Sequence, residues 1–119
     1  MFEKELGRQV RMFTELEKHL PFPHLSPVFL LICYHEKIHM TEISKHLDLE
    51  QVQVSRHVSA LGKVYNSNRQ KHKGPDLVYT EEDPDNRVKK IAYLSKKGQR
   101  LKEKILDILK GKNDTKNEV

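Results

Sequence analysis

Cysteine occurs once in the 119 residues, at Cys33. A single thiol excludes an intrachain disulfide and cannot by itself furnish a Cys-based zinc site. Long apolar runs are also missing: nothing approaches the eighteen or so residues of a membrane span. The opening Met1-Phe2-Glu3-Lys4-Glu5 lacks the basic-then-apolar pattern of a secretory signal, so a cytoplasmic chain without membrane contact is expected. There is no glycine-rich phosphate loop and no nucleophile elbow. Seven histidines (His19, His24, His35, His39, His46, His57 and His72) invite a metal or catalytic reading. However, His35 and His39, four apart, lack the Glu of a His-Glu-x-x-His motif, and Lys37-Ile38 sets them across a helix end. The chain is therefore expected to be neither an enzyme nor a carrier of a metal or other cofactor. Cys33, between Ile32 and Tyr34 in an apolar stretch, is expected to pack in the core and not to sense redox state.

What is present is charge. Apolar residues make up 36% and charged residues 33%, enough for one domain with a modest core. The formal net charge is +5, unevenly spread: residues 1–50 carry six Lys/Arg against eight Asp/Glu, whereas residues 51–112 carry fifteen against seven. A basic half beginning at Gln51 is the electrostatic pattern suited to a polyanion, most often nucleic acid. A lysine-rich solvated face would give the same sum.

Phe2, Leu6, Val10, Phe13, Leu16 and Leu20 recur at steps of three or four, which predicts an amphipathic helix over 2–20 stopped by Pro21. Ser26-Pro27 reads as an N-cap and a first-turn proline, opening a helix apolar almost all round over Val28 to Tyr34. A short helix follows over 41–47, then a tight turn at Asp48-Leu49, then a longer helix patterned on Val52, Val54, Val58 and Leu61. The segment 62–76 reads as a frayed extension followed by a basic, mobile loop. Leu77 to Thr80 and Val88 to Leu94 read as strands joined by Pro-Asp-Asn-Arg turn chemistry into a hairpin. Ser95 caps a last helix carrying Leu101, Ile105, Ile108 and Leu109, ending near Gly111.

Helix, tight turn, helix, hairpin and closing helix is the order of a winged helix-turn-helix: a mainly α domain with a small β-hairpin wing. Ile43, Leu47, Leu49, Val54 and Val58 can share one small core. Gln51, Gln53, Ser55, Arg56, Ser59 and Lys63 are left for the other face, with no acid between Gln51 and Lys71. Such side chains can hydrogen-bond base edges or phosphates from the major groove. On the hairpin, Arg87 at the tip is placed for a minor groove, Lys89 and Lys90 for the backbone, and Asp85, beside Asn86, for positioning Arg87 or a side chain of the recognition helix. The apolar stripes Phe2/Leu6/Phe13/Leu16 and Leu101/Ile105/Ile108 exceed what so small a core absorbs, so a homodimer paired through the terminal helices is expected. Its DNA site would be a pseudo-palindrome.

The stretches TEISKHLDLEQVQVSRHVSALGK and LVYTEEDPDNRVKKIAYLSKKGQRL resemble the multiple-antibiotic-resistance regulator (MarR) family of dimeric winged-helix transcription regulators over about residues 28–109. The most specific part is the wing, with its Asp-x-Arg followed by a strand, Leu-Ser, two residues and Gly. The resemblance implies that the helix at 51–61 reads the major groove, that Arg87 contacts the minor groove, and that helices at 2–20 and 96–110 dimerise. Asp48 and Glu50 depart from the family by standing where glycine and a Ser/Thr N-cap are usual. His57 replaces an apolar core residue and is expected half-buried and hydrogen-bonded, and 62–74 is longer than the usual connection to the wing. The expected organisation is one domain over 1–112 with a disordered polar tail at 113–119. The leading expectation is a sequence-specific double-stranded-DNA regulator, a repressor, with any small-molecule effector unknown. An architectural or replication/recombination DNA binder, or a protein-binding winged helix, is the alternative.

Overall fold

The computed structural model describes residues 2–111, the side chains of Phe2 and Ser67 aside. The tail expected at 113–119, and the part assigned to the Phe2 side chain, lie outside the described residues. The elements in order are α1 (Phe2–His19), a 3-10 turn (Pro23–Leu25), α2 (Ser26–His35), β1 (Lys37–His39), α3 (Met40–Leu47), α4 (Gln51–Leu61), β2 (Val64–Ser67), β3 (Gln70–Lys73), β4 (Val78–Asp83), β5 (Asn86–Leu94) and α5 (Lys96–Leu109).

The core is built around α2, whose Val28, Phe29, Ile32 and Cys33 are buried, together with Ile43 of α3, Val54, Val58 and Leu61 of α4, and Ala92 and Leu94 of β5. Tyr34, expected inside, is 81% exposed because it continues the outer stripe of α2, at helical spacing from the exposed Pro27 and the half-buried Leu30 and Leu31. Ser26 is not an N-cap. The 3-10 turn runs straight into α2, so Leu25 already has helical angles and Ser26 is a buried helical residue.

The tight turn between α3 and α4 forms as the sequence requires. Asp48 closes α3 in the left-handed conformation, φ 52°, which Asp tolerates better than most residues. Ser44 Oγ ties the turn by donating to the Leu49 carbonyl. Glu50 then caps α4 in a reciprocal box: its side chain accepts from the Gln53 N–H, and its own N–H donates to Gln53 Oε1 at 3.0 Å. Glu thus does the work of the missing Ser or Thr.

Two sheets differ from expectation. β1, which the sequence did not announce, adds to the wing to give a three-stranded antiparallel sheet ordered β1-β5-β4, with Ile38 opposite Ala92. Residues 62–76 are not a frayed helix and loop. They hold a second hairpin, with Val64 opposite Lys73, Tyr65 opposite His72 and Asn66 opposite Lys71. Its two-residue turn, Asn68-Arg69, has positive φ at both positions, 52° and 63°. That is the primed turn whose twist suits a hairpin, and Asn favours it.

The terminal helices pack on each other, and the packing revises the expected dimer stripes. Leu16, Leu101, Ile105 and Ile108 are buried within the protomer, at 0–5% exposure. The chain absorbs these four because α5 folds back across α1 and the core. Glu15, also buried, receives Lys104 Nζ at 2.7 Å and faces His19 Nε2 at 3.2 Å. The Lys104 hydrogen bond, opposed by desolvation, holds the Glu15 carboxyl below its ordinary pKa. Ser95 caps α5 as expected, accepting from Gly98 N–H at 3.0 Å. Gly98 is required there, since a Cβ would meet the Leu77 carbonyl oxygen at 2.1 Å.

Candidate nucleic-acid interface

α4 lies as a ridge between two clefts. On one side, a cleft of about 700 Å³ separates its N-terminal half from the wing, lined by Gln51, Val52, Ser55, Arg56, Val88 and Lys90 among others. On the other, a cleft of about 550 Å³ runs between α4 and the second hairpin, lined by Gln53, Ser55, Arg56, Ser59, Tyr65 and Asn66, and by His24 of the 3-10 turn. Ser55 and Arg56 border both clefts. Gln51, Gln53, Ser55, Arg56 and Ser59 are all exposed, so the structure brings the expected recognition-helix residues onto one accessible face. Lys63 is exposed too, but it lies beyond the end of α4, in the bend that leads to the second hairpin. Gln53 already gives its Oε1 to the cap, which leaves its amide N–H groups free to donate.

Val52, counted in the apolar pattern of the helix, is 58% exposed on this face, one helical turn before Ser55 and Arg56. Val88 of the wing, 92% exposed, faces it across the same cleft. Sequence reasoning gave neither a place at the interface because only polar and charged side chains were singled out for it. The periodicity contained the signal, since Val52 stands at helical spacing from Ser55, Arg56 and Ser59 and not from Leu61.

The wing turns at Pro84-Asp85, so Arg87 is the second residue of β5 and not the tip itself. Strand alternation puts Val88 and Lys90 on the face of the buried Ala92 and Leu94, toward α4. Arg87 and Lys89 alternate with them on the face of Ile91 and Tyr93, and Lys89 also borders the α4–wing cleft. Among the described residues, neither the Arg87 guanidinium nor the Asp85 carboxylate has a hydrogen bond or an ion pair. Within the protomer the acid that braces the wing is Asp83. Its Oδ2 lies 2.7 Å from His39 Nε2 on β1, and its Oδ1 accepts the Asp85 N–H at 2.9 Å. One residue, Pro84, separates Asp83 from Asp85, and Asp85 is exposed in the turn. The hydrogen bonds from His39 first and the Asp85 N–H second lower the Asp83 pKa. Asn86 accepts the Val88 N–H at 3.2 Å and stiffens the start of β5.

His57 is half-buried as expected, but it is not satisfied. Its Nδ1 is buried with no hydrogen-bond partner among the described residues, and its ring lies 5.0 Å from that of His24. Burial first, and the His24 charge second, push its pKa down. Cys33 is buried, and desolvation raises its thiol to about 12. Among the described residues no group of three or more His, Cys, Asp or Glu could hold a metal ion, and no helix is long and apolar enough to cross a membrane.

No family model and no curated protein matches the chain. Solved structures do. The chain is similar to the YusO protein from Bacillus subtilis (TM-score 0.64, 16% identity, covering 92% of this chain and 70% of that one). It is similar to reduced AbfR bound to DNA (TM-score 0.63, 16% identity, 85% and 66%). It is also similar to a MarR family transcriptional regulator from Streptomyces coelicolor in complex with DNA (TM-score 0.56, 17% identity, 91% and 65%). The chain spans about two thirds of the length of these proteins. At such identity the likeness defines the fold: a MarR-like winged helix-turn-helix, as the wing and turn motifs imply.

Proposed function

We propose that this protein is a sequence-specific double-stranded-DNA-binding transcription regulator of the repressor type, working as a homodimer. The observation that carries the reading is the exposed, acid-free face of α4, on which Gln51, Ser55, Arg56 and Ser59 form a ridge between two clefts. Such a ridge fits a major groove, where these side chains can hydrogen-bond base edges and Val52 can meet a thymine methyl group. Val88 and Lys90 line the same groove from the wing. Arg87, turned to the other face of β5, then reaches the neighbouring minor groove, with Lys89 on the backbone beside it. The DNA-bound relatives of the same fold support this docking.

The dimer is proposed through an apolar surface that the protomer leaves open: Leu6, Val10 and Phe13 on one face of α1, with Leu106 and Leu109 on α5, are 38–56% exposed. Two copies related by a two-fold axis would meet successive major grooves about 34 Å apart, which calls for a pseudo-palindromic site. Selection from a random duplex library at stated salt tests the reading. An enriched inverted repeat is the expected result. Tight binding with no enriched motif would favour an architectural role instead.

A further inference from the structure

The hairpin β2-β3 has no part in the helix-turn-helix or in the wing, yet it is firmly built. Its base continues as backbone pairing, with Gly74 N–H donating to the Lys63 carbonyl at 2.8 Å, Asp76 N–H to that of Gly62 at 3.0 Å and Leu77 N–H to that of Leu61 at 2.8 Å. Gly74 is needed for this approach, since a Cβ would lie 2.1 Å from the Gly62 oxygen. One face of the hairpin is pinned by rings: His72 stacks on Tyr65 at 5.1 Å, Tyr65 meets Phe22 edge-on at 6.2 Å, and Phe22 stacks on His24, which touches His57 of α4. The arm is thereby fixed to the recognition helix and to the connector before it.

The other face is free and basic. Val64 lines a cleft of about 540 Å³ that it shares with Ser55 and Ser59 of α4 and with Thr80 and Lys90 of the wing. The pairing register puts Lys73 opposite Val64 and Lys71 opposite Asn66, so by strand alternation Asn66, Lys71 and Lys73 share the face of Val64. Arg69 stands at the exposed turn. From Gln51 to Pro75 there are five Lys/Arg and no Asp or Glu. A merely solvated surface ordinarily mixes the two signs. With four residues per strand at about 3.3 Å each, the arm extends roughly 13 Å beyond the end of α4.

We propose that this hairpin is a second DNA-binding arm, which uses Lys71, Lys73 and Arg69 to hold the phosphate backbone flanking the groove occupied by α4. The inference rests on the proposed function and adds a contact to it. Because backbone contacts fix register and carry no sequence information, the arm adds affinity and footprint length and leaves base preference alone. Each phosphate-neutralising cation contributes about 0.9 to the slope of log K against log salt.

The test compares wild type with Lys71→Gln/Lys73→Gln, and separately with Arg69→Asn, which keeps a residue at ease in the left-handed turn. Each is titrated against the selected duplex across a salt series and mapped by hydroxyl-radical footprinting. The double variant should lose roughly two units of salt slope per bound protomer and bind on the order of tens-fold more weakly at 0.1 M salt. It should lose backbone protection at the outer edge of each half-site, while library selection returns the same motif. Circular dichroism and melting like those of wild type would show the fold intact. Unchanged slope and protection in a folded double variant, with wild type still binding its motif, would overturn the second arm alone. A wild type that binds no duplex would overturn both readings.

Discussion

Cys33 illustrates how burial decides chemistry. A thiol held near 12 and 7% exposed has almost no thiolate at neutral pH. Native protein should therefore resist an alkylating reagent for hours at pH 7.5 and react fully once unfolded, which mass spectrometry can follow. His57 answers to pH through the same physics with the opposite sign. Its folded pKa lies below the ordinary value of 6.5, so the unfolded chain takes up the proton first. The stability this confers is present above about pH 6.5 and is lost as pH falls toward the folded value. The drop in melting temperature between pH 7.5 and 5.5 should be smaller in His57→Phe than in wild type. Arg87 belongs to the opposite regime. Being exposed and unpaired among the described residues, it can go to Ala with a stability change within about 0.5 kcal/mol, while DNA affinity falls and the salt slope drops by about one unit. Since Asp83 braces the wing, Asp83→Ala should weaken DNA binding more than Asp85→Ala does.

The terminal helices and the second hairpin show what packing adds to pattern. Ile105 sits on an amphipathic stripe that reads equally well as an inter-subunit seam or as an intrachain one. Its 4% exposure assigns it to the protomer. Ile105→Ala should consequently cost about 2–5 kcal/mol in denaturant unfolding. The ion pair between Glu15 and Lys104 across the α1–α5 seam has its lysine side chain 54% exposed, so its loss in Glu15→Gln should cost only about 1 kcal/mol. That contribution is present above the ordinary carboxyl value of 4.5 and is lost as pH falls through the lower folded value.

For the molecule as a whole, symmetry is the open variable that function needs. Val10→Glu places a charge on the open α1 surface between Leu6 and Phe13, at a side chain that is 56% exposed. It should leave monomer stability nearly unchanged yet give a monomer by light scattering at tens of micromolar, where wild type gives a dimer. Affinity for the full inverted repeat should then fall toward that for a half-site. A wild-type monomer under the same conditions would remove the dimer from the proposal.

Local sequence determined a good deal. The helix-turn-helix was legible because 3.6-residue periodicity, a left-handed Asp and a cap are short-range features. So were the wing strands and the cap at Ser95. The acid-free face of α4 was legible because it is a matter of residue type along one helix. Tertiary structure alone decided which apolar residues go inside. Val52 and Val88 face the α4–wing cleft, while Leu16, Leu101, Ile105 and Ile108 are consumed by the protomer, because burial depends on what packs opposite and not on the stripe itself. It also decided the contact of Asp83 with His39 and the pairing of β1 with β5, both between residues more than forty positions apart. The second hairpin lies between these limits. Its Asn-Arg turn was local, but its strands hold only because the Gly62–Gly74 approach and the Phe22, His24 and Tyr65 rings meet in three dimensions.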